Sequence, residues 1–134
     1  DGSIQLLGSG FRLVGGNSFV DNFDQGVGGN LWCSVDPDTG RIGDAYVRSI
    51  VGDRLEHVQR HPVTGKDVVG FRIPHWGEAV ELAQRLAVIF RPQTLISWDI
   101  GVACNGAIAI EGNTGGNLLP TPMNRPVETL FAER

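Results

Sequence analysis

The sequence predicts an α+β fold, an antiparallel β-sheet with one main helix packed on it. Three observations lead there. Short apolar, β-rich runs alternate with clusters of Gly, Pro, Asn and Asp. One stretch, from Trp76 to Phe90, repeats its apolar residues with the 3.6-residue period of a helix. Asn105-Gly106, a strong hairpin turn signal, sits between the apolar runs Leu95 to Ala103 and Ala107 to Glu111. The 134 residues suffice for one domain with a real core, and the chain reads as a single domain over 1–134 without internal repeats.

Ser3 to Leu7 and Phe11 to Val14 read as strands divided by Gly8-Ser9-Gly10. Gly15 to Gly29 is polar and rich in glycine, and Leu31 to Val35 is a strand. Asp36-Pro37-Asp38-Thr39-Gly40 has Pro, Asp and Gly where a turn wants them. Arg41 to Val51 reads as a further strand, and His57 to Gly70 as loop, with a turn at Thr64-Gly65-Lys66-Asp67. The helix follows. Trp76, Ala79, Val80, Ala83, Leu86, Ala87 and Phe90 recur on one face, which should bury Val80, Ala83, Leu86, Ala87 and Phe90 against the sheet. Pro74 suits its first turn, Glu78 and Glu81 lie near its positive end, and Pro92 stops it. Gly112 to Pro122 reads as loop and Pro126 to Ala132 as a short terminal helix.

Composition narrows the function. A hydrophobic share of 41% and a charged share of 19% exclude general disorder. A net charge of −4 argues against a nucleic-acid backbone as partner. No apolar run reaches the length of a membrane span. No signal peptide is present, and the chain starts at Asp1 without a Met, so a segment upstream is expected. Cys33 and Cys104 stand in dissimilar contexts; a reduced cytoplasmic protein is the favoured reading, with one disulfide as the alternative. The 19 glycines imply many tight turns or close backbone approaches to a ligand. Nothing in the sequence speaks to oligomeric state.

The chemistry concentrates at the hairpin. Ser97-Trp98-Asp99-Ile100 and Ile108-Ala109-Ile110-Glu111-Gly112-Asn113 bring three oxygen ligands, Asp99, Glu111 and Asn113, onto neighbouring strands. Such hard ligands suit Mg²⁺, which takes one or two carboxylates and fills its other positions with phosphate and water. Side chains alternate along a strand, so register decides whether they meet. A two-residue Asn105-Gly106 loop sets Asp99 opposite Gly112, whereas a three-residue Cys104-Asn105-Gly106 loop sets Asp99 opposite Glu111. The second register is expected, because such loops favour a left-handed residue at their last position, where Gly106 stands; the alternative to a site is two solvent-facing strand carboxylates, against which their apolar surroundings speak.

Other candidates are weaker. His57 and His61 lie four apart, but Pro62 follows at once and no Glu stands between them, so a surface loop outweighs a zinc site. His75 precedes the helix as a cap, and Cys33 reads as a buried strand thiol. Gly26-Val27-Gly28-Gly29 offers backbone N–H groups to a phosphate without matching a P-loop. Asp21-Asn22 either caps a turn or faces a ligand. Arg12, on an apolar strand, either neutralises a phosphate or points to solvent.

Taken in order, Phe11-Arg12-Leu13-Val14, Val20-Asp21-Asn22-Phe23, Gly28-Gly29, Val35-Asp36, Thr39-Gly40, His61-Pro62, Thr64-Gly65, Gly70 to Trp76, Trp98-Asp99 and Glu111-Gly112-Asn113 resemble the C-terminal part of an ATP-grasp domain. The resemblance is closest to the sugar-transfer-associated ATP-grasp family and covers roughly Phe11 to Leu119. An Asp, 11 residues, then Glu-x-Asn is its most specific part. It implies the C-terminal, metal-binding lobe of an ATP-dependent ligase that converts a carboxylate to an acyl phosphate for attack by an amine or similar nucleophile. On this likeness Asp99, Glu111 and Asn113 would hold Mg²⁺ against ATP, and Arg12 would stabilise the transferring phosphoryl group. Asp21, Asn22, Gly28 and Gly29 would line the site, and His61 and Trp76 would be structural or near the substrate.

Two departures accompany the likeness. The N-terminal lobe that supplies the adenine pocket and phosphate-binding lysines has no room in this chain, so catalysis by these 134 residues alone is not expected. Several related ligases carry Arg two residues before the metal-binding Asp, where Ser97 stands here. The alternatives are a non-catalytic α+β module binding a ligand or partner, and a Mg²⁺-dependent phosphotransfer or hydrolytic enzyme of unrelated fold.

Overall fold

The computed structural model describes residues 3–16, 20–21, 23, 29–48, 54–91 and 93–114. They divide into two compact units, residues 8–73 and residues 3–7 with 74–114. The fold is α+β, with antiparallel sheets and a single helix among the described residues.

The first unit is a four-stranded antiparallel sheet in sequence order: β1 (Gly10–Leu13), β2 (Leu31–Val35), β3 (Ile42–Arg48) and β4 (Leu55–His57). β2 is buried along its whole length. Leu31, Cys33 and Val35 alternate onto one face, where they meet Ile42 and Ala45 of β3. Val68 and Ile73 join the same core from the segment after β4. Polar groups inside are satisfied. Asn30 accepts the Gly15 amide at 3.0 Å and donates to the Val20 carbonyl at 2.7 Å, and Ser34 Oγ accepts the Asp44 amide at 2.9 Å. The expected turn at Asp36 forms: Asp36 Oδ1 accepts the Asp38 and Thr39 amides and the Thr39 hydroxyl, and Gly40 closes it at φ 69°. Those hydrogen bonds hold the exposed Asp36 carboxyl below its ordinary range, Thr39 contributing most.

Two elements differ from expectation. Ser3 to Leu7 forms no strand, since an alternating run becomes a strand only by pairing and β1 has β2 as its sole neighbour among the described residues. Conversely, Leu55–His57 is a strand, paired antiparallel with β3 through Tyr46↔His57 and Arg48↔Leu55. Three residues give no readable period, so the sequence did not announce it. The remainder of the 57–70 segment is loop, closed by an Arg60↔Asp67 bridge and a turn at Gly65 with φ 67°.

The second unit holds the helix α1 (Trp76–Ile89) and a hairpin of β5 (Ile96–Ala103) and β6 (Gly106–Thr114). Helix and hairpin pack together. The helix is where its period placed it, but its burial is shallower. Ala79 is buried, while Val80, Ala83, Leu86 and Ala87 are half-buried. Phe90, expected inside, is 52% exposed and touches Trp98 at a ring separation of 5.5 Å. Two strands are too narrow to cover the whole apolar stripe of a helix. Gly112 to Thr114, read as loop, continue β6. The expected helix at Pro126 to Ala132 lies outside the described residues. No described helix is long and apolar enough to cross a membrane.

Candidate functional site

The hairpin puts the three predicted oxygen ligands on one face. β5 and β6 pair antiparallel, with Asp99 directly opposite Glu111 and Ser97 opposite Asn113. Side chains alternate along each strand, so Asp99, Glu111 and Asn113 share a face, and Trp98 and Gly112 lie on the other. Phe90, at the C-terminal cap of α1, packs on Trp98, so the three ligands lie on the face turned away from that contact. Asn113 Nδ2 donates to Glu111 Oε1 at 3.0 Å, which couples the second and third ligands.

The register arises differently from expectation. The loop is not Cys104-Asn105-Gly106: Gly106 already pairs with Ala103, leaving a two-residue turn of Cys104 and Asn105. That turn alone would set Asp99 opposite Ile110 and turn Glu111 to the other face. The missing residue is supplied by a bulge. Ile100 pairs with Ala109 and Asp99 with Glu111, so Ile110 is extra. Gly106 has φ 137°, a conformation that favours glycine, and a side chain there would meet Glu78 Oε2 at 2.9 Å.

Two carboxylates directly opposite each other with an amide beside them suit a hard cation by donor chemistry. Like charges across a strand pair repel, and a cation between them removes that cost. Among the described residues no three His, Cys, Asp or Glu side chains come together, so the candidate set remains two carboxylates and one amide.

The other predicted site residues belong to the sheet unit. Arg12, on β1 opposite Trp32, lies 3.4 Å from Asp21 through its Nε. Gly29 has φ 74°, and its carbonyl sits where a side chain on Gly15 would be, so Gly15 admits none. Asn22 and Gly28 lie outside the described residues. The structure therefore brings together Arg12 with Asp21, and Asp99 with Glu111 and Asn113, in separate units.

The histidines resolve into local roles. His61 Nε2 donates to the Val14 carbonyl at 2.8 Å while Nδ1 accepts the Val63 and Thr64 amides, so His61 ties its loop to the end of β1. His57 lies 3.1 Å from Asp44 and meets the Tyr46 ring edge-on at 5.4 Å. This Asp44–Tyr46–His57 group escaped the sequence reading because it needs the β3–β4 register. His75 does stand at the helix N-cap, but makes no side-chain cap bond. It holds a left-handed backbone, φ 54°, and binds Glu78 through Nδ1 at 2.8 Å. The i, i+3 spacing at a helix start was a signal for this pair. Cys33 is a buried free thiol pushed up to about 12 by burial, hence inert, and Cys104 is free and exposed.

The hydrogen bond that His75 donates to the Glu78 carboxylate raises the His75 pKa above its ordinary value, and the Glu78 charge and the Cys104 carbonyl add to it, against the opposing effect of desolvation. The contribution to stability is therefore complete below the ordinary histidine pKa and is lost as pH rises through the raised folded value. An NMR titration should find His75 protonated to higher pH than a model histidine, and Glu78→Gln should return it to the ordinary range. A titration unchanged by Glu78→Gln would break the assignment.

Comparison with known proteins gives one family. The sequence model of the sugar-transfer-associated ATP-grasp family matches residues 2–128. No curated protein and no solved structure matches the chain significantly.

Proposed function

The chain belongs to the sugar-transfer-associated ATP-grasp family, and from that membership we propose that it is the metal- and ATP-phosphate-binding lobe of an ATP-grasp ligase. ATP-grasp domains bind ATP. The finer reading is that the enzyme joins a carboxylate to an amine or similar nucleophile through an acyl phosphate. The observation that supports it most is the pairing of Asp99 with Glu111, with Asn113 hydrogen-bonded to Glu111 on the same face.

In this reading Asp99, Glu111 and the Asn113 amide oxygen hold Mg²⁺. The ion supplies charge neutralisation and orientation for the ATP phosphates. Asn113 keeps Glu111 turned toward that position by donating to it. Arg12 stabilises negative charge on the transferring phosphoryl group, and Asp21 orients its guanidinium. Asn22, Gly28 and Gly29 line the phosphate side. The substrate carboxylate oxygen attacks the γ-phosphorus and ADP leaves. The nucleophile then attacks the acyl carbon, loses its proton, and inorganic phosphate departs. The adenine pocket and phosphate-binding lysines come from an N-terminal ATP-grasp lobe.

The test is ATP-dependent phosphate release by the full-length protein across a panel of carboxylic acids and amines. Release that requires Mg²⁺ and one acid–amine pair is expected. Nucleotide binding without release under any pair would favour a non-catalytic binding module.

A further inference from the structure

Without the bulge at Ile110, Glu111 would lie opposite Trp98, on the face packed against Phe90, and could not meet Asp99. Trp98 instead faces Gly112. Its ring fills the space a Gly112 side chain would need: a Cβ there would come within 2.8 Å of Trp98 Cε3 and 2.9 Å of Cη2, and still closer to Cζ3. The ring is not a flexible end that can give way, because Phe90 packs on it. Trp98 also buries its Nε1–H without an acceptor, a cost set against the fit of the indole. On the opposite face the bulged residue, though 71% exposed, lies over Gly101. Ile110 Cδ1 lies 3.3 Å from where a Gly101 side chain would begin.

We infer that Gly112 is a positioning residue for the metal site: its missing side chain leaves room for Trp98 and so permits the bulged register that turns Glu111 and Asn113 toward Asp99. Gly101, seating Ile110, supports the same register from the other face. The unbulged register would set the Glu111 Cβ, rather than a bare glycine, against the indole. This inference rests on the proposed metal role of Asp99, Glu111 and Asn113, and adds what holds them in line.

The experiment uses the full-length protein, wild type, Gly112→Ala and the double variant Gly112→Ala with Trp98→Val, which reopens the space. Two quantities are read: Mn²⁺ affinity by electron paramagnetic resonance, and cross-strand nuclear Overhauser contacts between Asp99 and Glu111, which need no metal. Gly112→Ala should weaken Mn²⁺ roughly 10–100-fold, the scale for residues that orient metal ligands, and lose the Asp99–Glu111 contacts. The double variant should recover both, and its recovery supports the inference even if Gly112→Ala fails to fold. Wild-type affinity and contacts in Gly112→Ala, or no recovery in the double variant, would overturn it. If the wild type binds no Mn²⁺, the metal reading falls, and the cross-strand contacts alone decide whether Gly112 sets the register.

Discussion

Asp99→Asn and Glu111→Gln should each remove most Mg²⁺-dependent ATP turnover from the full-length protein. Each replaces a charged oxygen ligand by a neutral amide, and a phosphoryl transfer that relies on the cation loses charge stabilisation where charge develops. The expected loss is on the order of 10²–10³ in rate, the scale for removing one preorganised stabilising group. The fold should survive. Asp99 faces Glu111 directly across the hairpin, so neutralising either relieves the like-charge repulsion between them, and Glu111→Gln keeps an oxygen to accept from Asn113 Nδ2. Lost turnover with unimpaired thermal stability is therefore the signature of ligands, and lost turnover with lost stability is that of structural carboxylates. Steady-state phosphate release and a thermal melt on the same samples separate the two. Normal turnover in both variants would leave the ligase reading without its main support.

Leu31→Ala should give the largest loss of stability. Leu31 is fully buried on β2, directly opposite Leu13 of β1. Truncation removes apolar contacts and leaves a cavity that an already buried strand cannot collapse, at a cost of about 2–5 kcal/mol. Leu86→Ala should cost less, because Leu86 is half-buried against a two-stranded hairpin. The measure is the urea transition of the sheet unit, followed by hydrogen exchange at β2 amides. A change within about 0.5 kcal/mol, as at a surface site, would contradict the placement of the core.

Much of this was legible because some signals are local and redundant. The helix declared itself by period, by Pro74 before it and by Pro92 after it. The Asp36 turn followed from its residue types. The pairing of Asp99 with Glu111 was legible as a matter of parity, yet its cause was not: the extra residue lies in a bulge at Ile110, four residues beyond the turn signal Asn105-Gly106. Bulges depend on what each side chain finds across the strand, here Trp98 over Gly112 and Ile110 over Gly101. Short β4 was invisible for the same reason, since Leu55–His57 is a strand only through its partners on β3. Phe90 misled because a helical stripe reports which side chains are apolar, not how much partner surface exists to cover them. The likeness in sequence order named the family, while which residues touch inside each unit had to come from the structure.

The central claim is that Asp99, Glu111 and Asn113 hold the cation of a bound nucleotide. It is tested most directly by titrating isotopically labelled full-length protein with Mn²⁺ in the presence of ADP and following paramagnetic broadening of backbone amides. The account predicts that the amides of Asp99, Glu111 and Asn113 broaden first, and that excess Mg²⁺ reverses the effect. Broadening that begins elsewhere, at the exposed carboxylates Asp36 and Asp38 for example, with the β5–β6 amides untouched, would contradict it.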